Sequence, residues 1–240
     1  MSTWHDDLYF RQLRIGPMAN FVYFIGSKRT REAVVVDPAW EIATLLQELE
    51  QDEMRLTGAL VTHTHPDHVG GSFGGQKIEG LAELLERAAV KVHVHKTEAE
   101  ALPLGRTDLV KTDEHSELTL GDVRLRFIHT PGHTPGSQCF LLSGNGAGMG
   151  QEAAQERLVS GDTLFIGACG RADLPGSDAG ALYDSLTGKL MTLAEATLVF
   201  PGHDYAQGQT QTTIEHEKAH NPFCNFPSKS AFLQAMGYGE

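Results

Sequence analysis

The sequence predicts a mixed α/β fold in one domain spanning residues 1–240. Three observations carry this. Short runs of apolar, β-branched residues recur along the chain, helical spacing of apolar residues fills the stretches between them, and no long linker or solenoid period interrupts the alternation. At 240 residues, 40% hydrophobic and 21% charged, the chain can bury a substantial core.

Phe21-Val22-Tyr23-Phe24-Ile25 and Ala33-Val34-Val35-Val36 read as neighbouring strands joined by the polar turn Gly26-Ser27-Lys28-Arg29. Residues 42–50 place Ile42, Leu45, Leu46 and Leu49 at helical spacing. Ala59-Leu60-Val61 is a short buried strand that runs straight into a histidine-rich loop. Residues 81–89 are helical and residues 90–94 a strand. Val123-Arg124-Leu125-Arg126-Phe127-Ile128 alternates, so it is a strand with one wet face. Strands follow at Cys139-Phe140-Leu141-Leu142, Leu158-Val159 and Thr197-Leu198-Val199-Phe200, with a helix near residues 182–193. The tail carries a helix around residues 209–218 and a short one near 231–236. The glycine-rich stretch 144–150 reads as a loop between two strands.

Lys and Arg total 19 against 31 Asp and Glu, a formal charge of −12. That balance argues against nucleic acid or an anionic membrane as a partner, because both reward clustered cations. A small anionic substrate stays open, since a bound divalent ion makes a pocket locally positive. Residues 1–7 lack the basic and apolar regions of a secretory signal, and no run reaches the roughly 18 apolar residues of a membrane span. Cys139, Cys169 and Cys224 are widely spaced and odd in number, which suits a reducing cytoplasm.

Four features, each at a predicted strand end, carry chemistry. In the run Thr62-His63-Thr64-His65-Pro66-Asp67-His68, the six residues from His63 to His68 hold three His and one Asp. Extended backbone puts His63 and His65 on one side, and Asp67 and His68 follow a Pro turn toward a second position. Imidazole with carboxylate selects zinc, iron or manganese over calcium or magnesium. The other three are His133 between two Pro-Gly steps, Asp162 in Ser160-Gly161-Asp162-Thr163-Leu164-Phe165, and His203 in Phe200-Pro201-Gly202-His203-Asp204-Tyr205. Each alone is also what a solvated turn residue looks like; the four together are not.

In these motifs the chain resembles the metallo-β-lactamase fold superfamily. Its H-x-H-x-D-H loop is matched by His63, His65, Asp67 and His68, and its later ligands by His133, Asp162 and His203, over a resemblance running from about Tyr9 to Asn221. The resemblance implies a four-layer αββα sandwich with metals at one edge between the two sheets. It implies a first ion on His63, His65 and His133 and a second on Asp67, His68 and His203, with Asp162 bridging. Two divalent ions, zinc first and iron or manganese as the other candidates, would activate a water, and Asp67 would orient it as the catalytic carboxylate.

Two branches of the superfamily look close. The Gly161-Asp162-Thr163-Leu164-Phe165 and Gly202-His203-Asp204-Tyr205 runs resemble the glyoxalase II-like thioester hydrolases. Tyr9-Phe10-Arg11-Gln12-Leu13, Arg31-Glu32-Ala33-Val34-Val35-Val36-Asp37-Pro38, Cys169-Gly170-Arg171-Ala172-Asp173 and the tail with Asn221-Pro222, Phe232 and Met236-Gly237 resemble the persulfide dioxygenases. In that group one Fe(II) sits on the equivalents of His63, His133 and Asp162. Only 37 residues follow His203, too few for the glutathione-holding helical domain of an authentic glyoxalase II. Two departures count against the dioxygenases: residues 78–101 lengthen the segment after the metal loop, and Gly202 stands where that group often has Ala. The preferred reading is a metal-dependent hydrolase of a thioester or related ester or lactone; the alternative is a mononuclear-iron dioxygenase of glutathione persulfide. A metal-bearing binding protein is disfavoured because no ligand is missing, and a secreted β-lactamase by the absent signal and by Asp67.

The expected partners are a small molecule such as a glutathione or other thiol conjugate, and at most a second copy of the chain in a homodimer. Arg171 is a candidate for a substrate carboxylate and Tyr205 for a hydrogen bond to substrate, against plain readings as a surface arginine and a packing tyrosine. His93 and His95 share one face of a strand opposite Val92 and Val94 and are expected to be solvated. Cys139 is expected to be a core thiol and His129 a strand-end residue.

Overall fold

The computed structural model describes residues 4–102, 104–105, 108–144 and 155–238. The chain opens with α1 (Trp4–Asp7), β1 (Leu8–Ile15), β2 (Asn20–Ser27) and β3 (Glu32–Val36), followed by α2 (Ile42–Gln51) and β4 (Arg55–Leu60). Next come α3 (Pro66–Val69), the hairpin β5 (Gly71–Phe73) and β6 (Gln76–Ile78), α4 (Leu81–Arg87), β7 (Lys91–His95) and β8 (Leu109–Thr112). The second half holds β9 (Glu117–Leu120), β10 (Val123–His129), β11 (Gln138–Gly144), β12 (Arg157–Gly161) and the small hairpin β13 (Leu164–Phe165) and β14 (Ala168–Cys169). It ends with α5 (Ala179–Gly188), β15 (Leu198–Pro201), β16 (Thr212–Thr213), α6 (Ile214–His220) and α7 (Lys229–Ala235).

Two six-stranded sheets result, ordered β1-β2-β3-β4-β7-β8 and β16-β15-β12-β11-β10-β9. The period of two in the strands sorts their side chains into layers. In β2, Phe21, Tyr23 and Ile25 meet Leu125, Phe127, Phe140 and Val159 of the second sheet, while Val22 and Phe24 face Ile42, Leu45 and Leu49 of α2 and Leu81 and Leu84 of α4. The outer face of the second sheet, with Cys139, Leu141, Leu158 and Val199, is covered by Leu182 and Leu186 of α5, Ile214 of α6 and Phe232 of α7. The order is helices, sheet, sheet, helices: the four-layer αββα sandwich that the resemblance implies.

Most expected strands appear where apolar periodicity put them. β1, β5, β6, β8, β9, β13, β14 and β16 were not expected, because polar residues such as Arg11, Gln12 and Arg14 hide the pattern of β1, and the others are two to four residues long. The tail helix begins at Ile214 instead of residue 209. Thr212 and Thr213 pair with β15, and the Thr213 hydroxyl accepts the His216 N–H as the helix cap. Asp178 likewise caps α5 at Ala179, three residues ahead of the expected start, and the helix ends at Gly188, so the expected stretch to 193 is completed by a separate 3₁₀ turn, Leu190–Thr192. Of the glycine-rich stretch, Gly144 ends β11; residues 145–150 lie outside the described residues. No helix among the described residues is long and apolar enough to cross a membrane.

One expectation is corrected. The face of β7 that carries His93 and His95 is turned toward the second sheet. The His93 ring lies edge-on to Phe127, and His95 is 2% exposed and stacked on His129 at 3.9 Å between centroids. The other face, with Val92 and Val94, packs into the cluster that holds Ile42 and Leu45 of α2 and Leu81 and Leu84 of α4, so β7 lies between helices and the second sheet, with His95 buried and His93 half-buried. Cys139 is a fully buried core thiol and His129 ends β10, as expected.

The C-terminal ends of β3, β4, β10, β12 and β15 gather at one edge where the sheets converge. Gln138 joins the two sheets there, its N–H donating to Thr62 O and its side-chain amide to Val61 O, both at 2.8 Å. Gly161 lies against Thr62 with φ +51°, and a Cβ there would stand 2.7 Å from the Thr62 side chain. Only glycine satisfies both conditions at low cost.

Burial, the neighbouring His129 and the charge of Lys96 push the His95 imidazole down to about 4, against the weaker opposing pull of Glu98 and Asp113. The unfolded imidazole titrates near 6.5. The contribution of neutral His95 is therefore present above pH ~6.5 and is lost as pH falls toward 4. In metal-free protein, His95→Phe should lose less melting temperature than the parent between pH 7 and 4.5. Parallel losses in the two proteins would contradict this.

Candidate metal centre

All seven expected ligand residues meet at this edge. His63 Nε2 lies 3.0 Å from His65 Nδ1, and His133 Nε2 lies 3.0 Å from the same atom. On the other side His68 Nε2 and His203 Nε2 are 3.1 Å apart, each within 3.5 Å of Asp67 Oδ2. Asp162 stands between the two sets. Its Oδ1 is 3.5 Å from His68 Nε2, and its Oδ2 is 3.7 Å from His133 Nε2 and 3.4 Å from His203 Nε2. Nitrogens bound at about 2.0–2.1 Å to one tetrahedral ion are roughly 3.3 Å apart, so these spacings match ligands aimed at a common centre.

The outward nitrogens carry partners that orient the rings. His63 Nδ1 meets the Thr62 hydroxyl, His68 Nδ1 meets Asp37 Oδ2, His133 Nδ1 meets Arg171 O and His203 Nδ1 meets Met18 O, at 2.9–3.0 Å. A ring that donates from Nδ1 leaves its Nε2 lone pair facing inward, the arrangement that metal-binding histidines use. His65 is the exception, presenting Nδ1 to the cluster.

The charges divide between the two sets. Burial, with the positive charge of His68 adding to it, holds His63 well below the ordinary imidazole range, and burial with His133 lowers His65. Burial opposes charge on His68 and His203 as well, but the carboxylates win. Asp162, Asp37 and Asp67 hold His68 well above its ordinary value, and Asp162 and Asp67 lift His203 to about 9. In return, despite burial, His68 and His203 keep Asp162 ionised and His203, His68 and Asn20 keep Asp67 so.

The residues fit divalent metal. Asp162 Oδ1 is buried and, among the described residues, has no hydrogen-bond partner, His68 Nε2 standing 3.5 Å away; a buried acceptor left unsatisfied costs about 1–3 kcal/mol. Imidazole and carboxylate together make a transition-metal set. Asp37, His63 and His68 also lie close enough to share an ion, but Asp37 already accepts Thr62 N–H at 2.7 Å, the Thr62 hydroxyl at 2.6 Å and His68. That carboxylate is a brace behind the ligands.

Three supporting residues escaped the sequence reading. Asp37 is buried at the end of β3 with φ +51°, a strained conformation for a non-glycine residue. Its signal was available, because β3 and β4 are parallel and an apolar strand ending in an acid mirrors the strand that ends in the histidine loop. Asn20 donates to both Asp67 O and Asp67 Oδ2 at 3.0 Å and is held by Trp40 Nε1. Glu98 accepts Thr64 N–H and hydroxyl through one oxygen and Gly136 N–H through the other, at 2.8–2.9 Å, fastening the His63–His65 loop to the His133 turn. Nothing local in the sequence marks these two.

The two candidate substrate residues sit at the rim. Arg171 is exposed and paired bidentately with Asp173 at 2.8 Å, while its backbone carbonyl orients His133. Tyr205 is 58% exposed and its ring stacks on His203 at 4.7 Å, with Phe165 5.1 Å away. Burial of part of the ring, with Asp162 and Asp67 nearby, pushes its hydroxyl up to about 12, so it stays a donor.

The profile of the Metallo-beta-lactamase superfamily matches residues 15–203, which include all seven candidate ligand residues. The chain belongs to that superfamily. Among its relatives, human mitochondrial persulfide dioxygenase ETHE1 is 32% identical over 96% of this chain and 81% of its own length. The hydroxyacylglutathione hydrolase GloC of Haemophilus influenzae is 31% identical over 82% of this chain and 90% of its own. The crystal structure of ETHE1 from Myxococcus xanthus superposes with a TM-score of 0.77 at 33% identity, covering 95% of this chain and 90% of that one. Superfamily members of both kinds thus align along nearly the whole chain.

The charge division predicts unequal proton release on metal loading. At pH 7, His203 at about 9 and His68 above its ordinary value are protonated, so an ion entering their set displaces a proton from each, whereas His63 and His65 are already neutral. Where two ions load, titration of metal-free protein in weak buffer should show more acid released by the later ion than by the earlier one, and the later ion should be lost first as pH falls. Equal release at both steps would contradict this.

Proposed function

We propose that this chain, as one domain, is a metal-dependent hydrolase of a thioester or a related ester or lactone that uses two divalent ions, zinc foremost. The observation that carries the reading is the completeness of both ligand sets with Asp162 between them, its Oδ1 bare and 3.5 Å from His68 Nε2. His63, His65 and His133 would hold one ion and Asp67, His68 and His203 the other, with Asp162 shared. Bound there, the ions would acidify a water and take up charge from a carbonyl oxygen.

The chain's own residues supply the rest. Asp67 is ionised and fixed by two hydrogen bonds from Asn20, so it can accept a hydrogen bond from the attacking water and hold it on line. The Tyr205 hydroxyl, protonated at all physiological pH values, can donate to the substrate, and Phe165 with the Tyr205 ring forms an apolar wall beside His203. Arg171 can meet a carboxylate on a glutathione-like thiol, provided that carboxylate displaces Asp173.

A second reading has its own support. The identity to ETHE1 favours a mononuclear-iron persulfide dioxygenase in which His63, His133 and Asp162 alone hold Fe(II). The two readings part on a count. Elemental analysis of protein purified without added metal, with parallel assays of thioester cleavage and of oxygen uptake with glutathione persulfide, separates them. Two ions per chain with thioester turnover supports the hydrolase. One iron per chain with oxygen uptake overturns it. Asp67→Ala should cut hydrolysis by about 10²-fold or more, in line with loss of a positioned general-base or nucleophile-orienting group.

A further inference from the structure

Helix α6 carries two histidines that the candidate centre does not use. A tail helix over residues 209–218 would leave His220 outside it. Running instead from Ile214 to His220, the helix sets His216 and His220 one turn apart on the same face. Ile214 and Glu217 are fully buried on the opposite side, so the histidine face is turned to solvent and both histidines are exposed. Among the described residues neither ring nitrogen of either histidine has a hydrogen-bond or ion-pair partner. Each ring has the other, 4.6 Å away between centroids and tilted by 47°.

That separation suits a shared ion. Two imidazoles bound at about 2.0–2.1 Å to one ion hold their ring centroids roughly 4.5–5.2 Å apart. The histidine pairs of the candidate centre fall in the same range: 4.7 Å for His63 with His65 and for His65 with His133, 4.8 Å for His63 with His133, and 5.1 Å for His68 with His203. The backbone beneath the α6 pair is fixed at both ends. The Thr213 hydroxyl accepts His216 N–H at 3.1 Å, and buried Asn221 donates its N–H to Glu217 O at 3.0 Å and its side-chain amide to Ala168 O at 2.9 Å. An ion arriving there need not order the helix first. We infer that His216 and His220 form a binding site for one divalent transition ion of the copper, nickel or zinc kind, separate from the candidate centre. A pair of imidazoles selects these ions, Cu(II) foremost, over Mn(II), Mg(II) and Ca(II), and water fills the remaining positions. An ion held on α6 adds one to the number per chain and belongs to neither ligand set of the centre.

The test compares the parent protein, His216→Ala, His220→Ala and the double variant His216→Ala/His220→Ala. Each is dialysed at neutral pH against a series of Ni(II) concentrations, and total metal per chain is measured by elemental analysis. The four proteins share one centre, so the difference between them reports α6 alone. At saturation the parent should hold one ion more per chain than the double variant. Each single variant should need about tenfold or more free Ni(II) to take up that ion, because a second imidazole already in place binds it intramolecularly. Melting temperature without metal and the turnover of the parent, thioester cleavage or oxygen uptake, should be unchanged in all three variants, which marks the lost ion as a ligand effect and not a folding one. Equal metal counts in the parent and the double variant overturn the inference. So does an extra ion that both single variants hold as tightly as the parent. Neither result bears on the centre, whose own ion count is the one the double variant shows, and the hydrolase and dioxygenase readings are decided there.

Discussion

Five imidazoles and two carboxylates crowd into the dry edge between two sheets, and much of the surrounding structure follows from having to keep them there. Ionised carboxylates removed from water cost several kcal/mol each unless cations answer them. Without metal the answer comes from His68 and His203, which the carboxylates hold in their charged forms against burial. The cluster is therefore electrostatically closed on one side and open on the other, where His63 and His65 stay neutral and their lone pairs converge. A fold that tolerates this edge needs hydrogen-bond partners for the outward-facing ring atoms, and it supplies them to His63, His68, His133 and His203 through Thr62, Asp37, Arg171 O and Met18 O.

Those braces come from far along the chain, and this explains what could be read from the sequence. The candidate ligand residues were legible because each sits in its own short motif at a strand end, and the set they form came from the family resemblance. Apolar periodicity gave the mixed α/β class, and the resemblance gave the four-layer sandwich. Asn20 lies 47 residues from the Asp67 it orients, and Glu98 lies 34 and 38 residues from the two loops it ties together. No local pattern encodes such pairs. His95 misled for a related reason: alternation of Val with His looks the same whether the histidine face meets water or a second sheet, and only the packing of Phe127 and His129 decides.

The asymmetry between the two ligand sets bears on how one set of residues can serve different chemistries. Ions entering the neutral side meet lone pairs already aimed inward, while ions entering the His68–His203 side must trade against protons that the carboxylates hold in place. On the two-metal reading, filling in sequence follows from that difference, with the neutral side first. One-metal and two-metal chemistry can then share a fold and all seven candidate ligand residues, and what separates them is whether an ion displaces the protons that the carboxylates hold on His68 and His203.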